Sequence, residues 1–286
     1  MNNPVKRILP AYEVDMGGIP LLQPLPTQAV DQIDPFLLIH HHNSEVMAGS
    51  DPYNSGVGPH PHRGFSPVTF IYQGDVHHRD SRGNSSVIKA GGIQWCDMGM
   101  GMVHSERPSA ELCASGGQQE IIQLWVNLPS RLKMMAPQYL ACQAEEMPSL
   151  PGHPHARLAS GSQVGLVGPL KTAFAVDSAF GSLEPHEPLN LVTKPGHNAL
   201  LYLLSGSGRL VGHGLVQATE LVDLKEGEME FVPSEPSKFL YVSAPPIGER
   251  VESYGPFVMS NQSEIMAAMR DYQMGKMGFL VERDLG

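Results

Sequence analysis

The chain is expected to fold as an all-β protein of two barrels with one short C-terminal helix. Three observations lead there. Short runs of β-branched and aromatic residues recur at regular intervals with turn residues between them, the pattern of a barrel or sandwich. The second half weakly repeats the strand and glycine-turn order of the first. A capped amphipathic stretch occurs only near the end. The 286 residues include 30 Gly and 25 Pro scattered without a repeat, which favours short strands and turns over long helices.

Taken in order, residues 1–57 look irregular apart from a strand at Asp34–Ile39. His40, His41 and His42 follow it; a polar strand end or loop suits them best, although His40 and His42 would share one strand face. Val68–Tyr72 is β-rich, and Gln73-Gly74-Asp75 turns. His77–Asp80 is polar, and Ser81–Asn84 turns again. Strands are expected at Ser86–Ile88, Ile93–Cys96 and Ile121–Val126. From Asn127 to Pro151 the Met- and Pro-containing stretch reads as a connector, which puts a domain boundary near residue 140. Domains of 1–140 and 141–286 are therefore expected. In the second half, Leu200–Leu204 followed by Ser205-Gly206-Ser207-Gly208, then Gly227–Pro233 and Phe239–Ser243, resembles the order Phe70–Gly74 and Ala90–Trp95. Near the end, Asn261 can cap a helix with Glu264 three residues on. Ile265, Met269 and Tyr272 form its apolar stripe, widened by Met266 and Ala268, and Gly275 and Gly278 stop it.

Composition excludes several classes. The formal net charge is −10, a poor basis for direct nucleic-acid binding, which rests on neutralising phosphates with Lys and Arg. No stretch approaches the ~20 apolar residues of a membrane span. The opening residues lack the apolar core of a signal peptide, so a cytoplasmic location is expected. Cys96, Cys113 and Cys142 are odd in number and form no CxxC, as expected of reduced thiols.

Two segments concentrate metal-ligating residues. In Gly58-Pro59-His60-Pro61-His62 and in Gly99-Met100-Gly101-Met102-Val103-His104-Ser105-Glu106 the pairs His60/His62 and His104/Glu106 are spaced i, i+2. A strand sends such pairs to one face. Pro61 removes one backbone N–H, which suits an edge or a bend, and Gly99 and Gly101 allow a sharp turn before the second pair. Roughly forty residues separate the pairs, enough for three or four short strands. On neighbouring barrel strands they would aim three imidazoles and one carboxylate into one cavity, a donor set suited to a divalent first-row ion with open positions. His186, His197 and His213 stand alone. His153 and His155 form an HxH in the connector without a partner pair, so no second metal site is expected there.

The surrounding text is specific. It includes His60-Pro61-His62-Arg63-Gly64-Phe65, Val68-Thr69-Phe70, Gly74-Asp75-Val76, His78-Arg79-Asp80-Ser81, Gln94-Trp95, Gly99-x-Gly101-x-Val103-His104-Ser105-Glu106 and Gln123–Pro129. Pro246–Glu249, Tyr254–Met259 and Asp271-Tyr272-Gln273 continue it. This resembles the pirin family of the cupin superfamily. The resemblance implies two cupin-type barrels (a bicupin), with a single ion, Fe(II), in the first barrel held by His60, His62, His104 and Glu106, and no metal in the second. Mn, Ni, Cu, Co and Zn stay open as alternatives. Ser66 stands where pirins often carry a Glu. By resemblance the activity is that of a quercetin 2,3-dioxygenase, with O2 and a flavonol-like substrate as partners and Glu106 as the catalytic base. The alternative is a non-catalytic iron-binding regulator of a transcription factor or metabolic enzyme.

Overall fold

The computed structural model describes residues 3–282, so the first two residues of the opening segment lie outside it. Strands dominate, as expected. The first twelve are β1 (Val5–Pro10), β2 (Tyr12–Asp15), β3 (Pro20–Leu25), β4 (Phe36–Val46), β5 (Val57–His62), β6 (Phe65–Gln73), β7 (Asp75–Asp80), β8 (Ser85–Lys89), β9 (Ile93–Asp97), β10 (Met102–Arg107), β11 (Gly117–Asn127) and β12 (Gln138–Cys142). Two α-helices occur among the described residues, α1 (Ala110–Ser115) and α2 (Gln262–Gln273).

Packing divides the chain into two compact units, each assembled from separate stretches. One takes residues up to His42, Ile122–Leu124 and Cys142–Pro246; the other takes Asn43–Ile121, Trp125–Ala141 and Ile247 onward. A boundary near residue 140 remains a proposal about the order of the barrels along the chain. By packing, the first strands go with the later barrel and the last helix goes with the earlier one.

The later barrel pairs β1 with Glu220–Leu224, which pairs in turn with Asn198–Ser205; Ser237–Ala244, Asp177–Leu183 and His153–Ser160 continue the sheet. A second sheet combines Leu189–Thr193, Gly227–Pro233, Ser207–Leu210 and Gly214–Gln217. The inward face of these strands is aliphatic and aromatic: Leu201, Leu203, Phe231, Phe239 and Tyr241 are essentially solvent-free. His40–His42 are not a loop or a strand end. They lie inside β4, where the next apolar residue, Val46, is buried again and keeps the strand going. His41 Nδ1 sits 3.1 Å from the Tyr202 hydroxyl, and His40 Nε2 sits 2.8 Å from Gln23 Oε1.

Burial lowers the His40 pKa to about 4. The folded state therefore keeps this ring neutral between about pH 6.5 and 4 while the unfolded chain protonates it. The linkage drains stability as pH falls through that window and then levels off. A urea midpoint that drops between pH 7 and pH 5, with a smaller drop in His40→Gln, is the expected result, the difference being on the order of 1–3 kcal/mol.

The earlier barrel is built from the sheet β5-β10-β7-β8 and from the strands β12, β9, β6 and β11. Strand β10 is buried on both faces, for different reasons. Val103 packs against Phe257, Met259, Ile265, Ala268 and Met277 from the C-terminal segment, and Ser105 Oγ donates to Glu282 at 2.6 Å. The opposite face carries Met102, His104 and Glu106. Helix α2 begins as expected, with the Asn261 side chain accepting from the Glu264 N–H at 3.0 Å. Its stripe is narrower than expected. Ile265 and Ala268 are buried, but Met266 and Tyr272 are exposed at 67% and 41%, because the helix offers the barrel only one flank.

Candidate metal centre

Gly64 sets up the first ligand segment. Its φ of +87° turns the chain from β5 into β6, and a Cβ there would meet the Val258 carbonyl oxygen at 2.0 Å. That carbonyl and the Gly64 carbonyl both accept from the buried Lys133 ammonium, at 3.0 and 2.8 Å, and Asn127 Oδ1 takes a third bond at 2.7 Å. Burial lowers the Lys133 pKa to about 8. Gly64→Ala adds left-handed backbone strain to a backbone clash in this cradle. It is expected to cost about 3 kcal/mol, read as a drop in the chemical-denaturation midpoint.

Strands β5 and β10 pair antiparallel with His104 opposite His60, and the register shifts between His104 and Glu106. The ligand nitrogens of His60, His62 and His104 all lie within 4.8 Å of one another. Their rings are mutually tilted or edge-on, with centroids 4.4 to 5.1 Å apart, so they converge on a point and do not stack.

Protonation follows from the outer partners. His60 Nδ1 lies 2.8 Å from the Gly58 carbonyl oxygen, and His62 Nδ1 lies 3.2 Å from the Pro256 carbonyl oxygen. A carbonyl only accepts, so both Nδ1 atoms carry the proton and both Nε2 atoms present lone pairs. These Nε2 atoms are 3.0 Å apart. In these tautomers the contact is two lone pairs facing a common point, which a cation between them satisfies. Neither ring nitrogen of His104 has a hydrogen-bond partner, although both are buried. Burial is the main cause that lowers the pKa of all three rings, with His62 and His104 well below the ordinary histidine value. Neutral imidazole is the ligating form, so the donor set fits a divalent ion.

Glu106 lies outside that nitrogen group. Its Oε1 accepts from Thr69 Oγ1 at 2.7 Å and from Gln94 Nε2. It shares a strand face with His104, and its charge is felt at His60, where it favours the protonated ring. Phe65 and the half-buried Trp125 stand edge-on to His62, at centroid distances of 5.0 and 5.4 Å.

The polar stretch expected at His77–Asp80 is instead a buried strand beside the site. These residues form β7, paired with β10 so that His78 lies opposite Glu106 and Asp80 opposite His104. His78 is solvent-free. Its Nε2 sits 3.0 Å from Asp80 Oδ2, and its ring stacks on Tyr139 at 4.1 Å. Burial opposes the Asp80 charge, but bonds from His78 and Asn84 hold its carboxyl below the usual range. The signal was present: His78 and Asp80 repeat the i, i+2 spacing of the other two pairs. Cys96 is also buried here, and burial, followed by the charges of Glu106, Asp80 and Asp97, pushes its thiol pKa well up. Ser66, which stands where pirins often carry a Glu, donates to Asp97 at 2.7 Å, and Asp97 also accepts from Trp95 Nε1 at 2.9 Å. His153 bonds the Pro188 carbonyl at 3.1 Å. Among the described residues, neither it nor His40–His42 belongs to a group of metal-ligating side chains.

The fold and this site define a bicupin whose earlier barrel carries a buried, histidine-rich cluster that could hold a metal ion. The pirin family model matches residues 19–126, and the model of the pirin C-terminal cupin domain matches residues 180–278. The chain belongs to the pirin family. It is 35% identical over 282 residues to a pirin-like protein of Caulobacter vibrioides, covering 96% of this chain and 98% of that one. The crystal structure of a quercetin 2,3-dioxygenase from Acinetobacter baumannii superposes with a TM-score of 0.89 at 32% identity, covering 98% of this chain and all of that one. A bacterial pirin from Escherichia coli, solved in complex with nickel(II), shares the fold at 16% identity, with a TM-score of 0.65 and coverage of 84% of this chain and 99% of that one. No helix among the described residues is long and apolar enough to cross a membrane.

Proposed function

We propose that the chain binds one divalent first-row ion, Fe(II) by resemblance, through His60, His62 and His104 with Glu106 as the fourth ligand, and that it oxidises flavonol-like substrates with O2. The observation that carries the metal reading is the pair of Nε2 lone pairs 3.0 Å apart, each locked by a backbone carbonyl behind it. Such carbonyl partners fix ring orientation and raise ligand basicity. The substrate class rests on similarity to a quercetin 2,3-dioxygenase of known structure.

When bound, the ion supplies Lewis acidity toward an ionisable substrate hydroxyl and a redox-capable partner for O2. The rest falls to the chain's own residues. Thr69 and Gln94 orient the Glu106 carboxylate. From that position Glu106 takes the proton of the substrate's enol hydroxyl as general base. Trp125 and Phe65 give the histidine side an aromatic wall, suited to a flat polyphenol. In the overall reaction both atoms of O2 enter the products, the heterocycle opens, and one carbon leaves as carbon monoxide.

The test is oxygen uptake by iron-loaded protein with quercetin against a panel of simple phenols. Stoichiometric carbon monoxide with quercetin alone is the expected result. Metal-loaded protein that consumes no oxygen with any flavonol would overturn the catalytic reading and leave the non-catalytic alternative.

A further inference from the structure

We infer that the earlier barrel holds a second cation site, for a thiophilic ion of the zinc(II) kind, formed by His78, Cys96 and His104. It goes beyond the flavonol reading and does not depend on it. The ligand atoms of these three residues lie within 4.8 Å of one another, and all three residues are buried.

The first argument is the state of His78. Its Nε2–H donates to Asp80, so Nδ1 carries the lone pair, and that Nδ1 is buried without a hydrogen-bond partner. A carboxylate behind a histidine with the far nitrogen unsatisfied is the outer arrangement of a metal-ligating imidazole. Tyr139, stacked on the ring at an interplanar angle of 9°, keeps it from rotating away.

The second argument is the count at His104. Both of its nitrogens are buried and partnerless. His60 and His62 each have one nitrogen on a carbonyl and one facing the common point. An ion among those three rings satisfies one nitrogen of His104 and leaves the other stranded, a costly state for a buried polar atom. An ion beside His78 and Cys96 satisfies it. The two sites thus share His104, one nitrogen each.

The third argument is chemical. Two imidazoles and a thiolate are a zinc donor set, softer than the three imidazoles next to them. Binding is coordination without redox change. Cys96 gives up its thiol proton and His104 its ring proton, both to solvent, and the ion accepts the lone pairs.

Cobalt(II) titrated anaerobically into metal-free protein reports both sites. The expected result is a near-ultraviolet thiolate-to-cobalt charge-transfer band appearing within two equivalents. Cys96→Ser removes that band and keeps the visible cobalt bands. His60→Ala keeps the thiolate band. X-ray absorption of the zinc-loaded wild-type chain is expected to show a sulfur shell at roughly 2.3 Å, one sulfur for every two zinc ions when both sites are filled, and this reading needs no variant to fold. Cobalt bound with no sulfur band, or a band that survives Cys96→Ser, overturns this site and leaves the three-histidine site untouched. A thiolate band in a protein whose bound cobalt is indifferent to His60→Ala and His62→Ala leaves this site standing while the other falls.

Discussion

His104→Ala is expected to abolish retention of a divalent ion, and with it every metal-dependent activity. No other residue has both ring nitrogens buried and partnerless within reach of His60 and His62 among the described residues. Removing this ring leaves the two lone pairs on β5 and the Glu106 carboxylate, which lies outside the nitrogen group, a weaker chelate than one with three converging imidazoles. The metal-free variant should fold, because the deletion also removes two stranded polar atoms, which offsets part of the cost of the cavity. The measurement is metal content after dialysis, together with the thermal midpoint with and without added ion. Wild type gains stability by mass action, about 2.7 kcal/mol when free ion exceeds its dissociation constant a hundredfold. The variant gains none. Ion retention at the wild-type level would remove His104 from the centre of the account.

Glu106→Gln has the second largest expected effect, and it separates chemistry from binding. The amide is nearly isosteric, and its Oε1 can still accept from both Thr69 and Gln94, but it cannot take a proton. Loss of a general base costs about 10²–10⁴ in rate. Turnover is therefore expected to fall by that factor while the three imidazoles retain most of the bound ion. Equal losses in turnover and in metal content would show that Glu106 acts only as a ligand; unchanged turnover would show that the base lies elsewhere.

The parts of the site legible in the sequence are those governed by strand periodicity. His60/His62 and His104/Glu106 stood out because alternate residues share a face, and β5 and β10 do pair with His104 opposite His60. His78/Asp80 has the same period, yet its four polar residues between two turns looked like solvated chain. Only the buried sheet partners on either side make β7 a strand. The histidines of β4 suit a strand end or loop when read alone, for the same reason: nothing local announces Tyr202, 161 positions away, as the partner of His41. The short helix α1 is hard to read because six residues give no apolar period; its local marks are the Ser109 cap, accepting from Leu112 N–H at 3.0 Å, and Gly116 at its end. The exchange of terminal segments between the two packing units was likewise illegible, since it is decided by long-range sheet pairing such as that of β1 with Glu220–Leu224.

The tautomers of His60 and His62 tie the fold to the function, because they depend on two carbonyls, one local and one from Pro256 near the C-terminal strands. Anaerobic titration of Fe(II) into metal-free protein, followed by metal content and nitrogen-ligand spectroscopy, tests that convergence most directly. One tightly held iron per chain with several imidazole neighbours, lost together in His60→Ala and His62→Ala, is the predicted result. Protein that retains no iron, or retains it equally in both variants, would contradict the account.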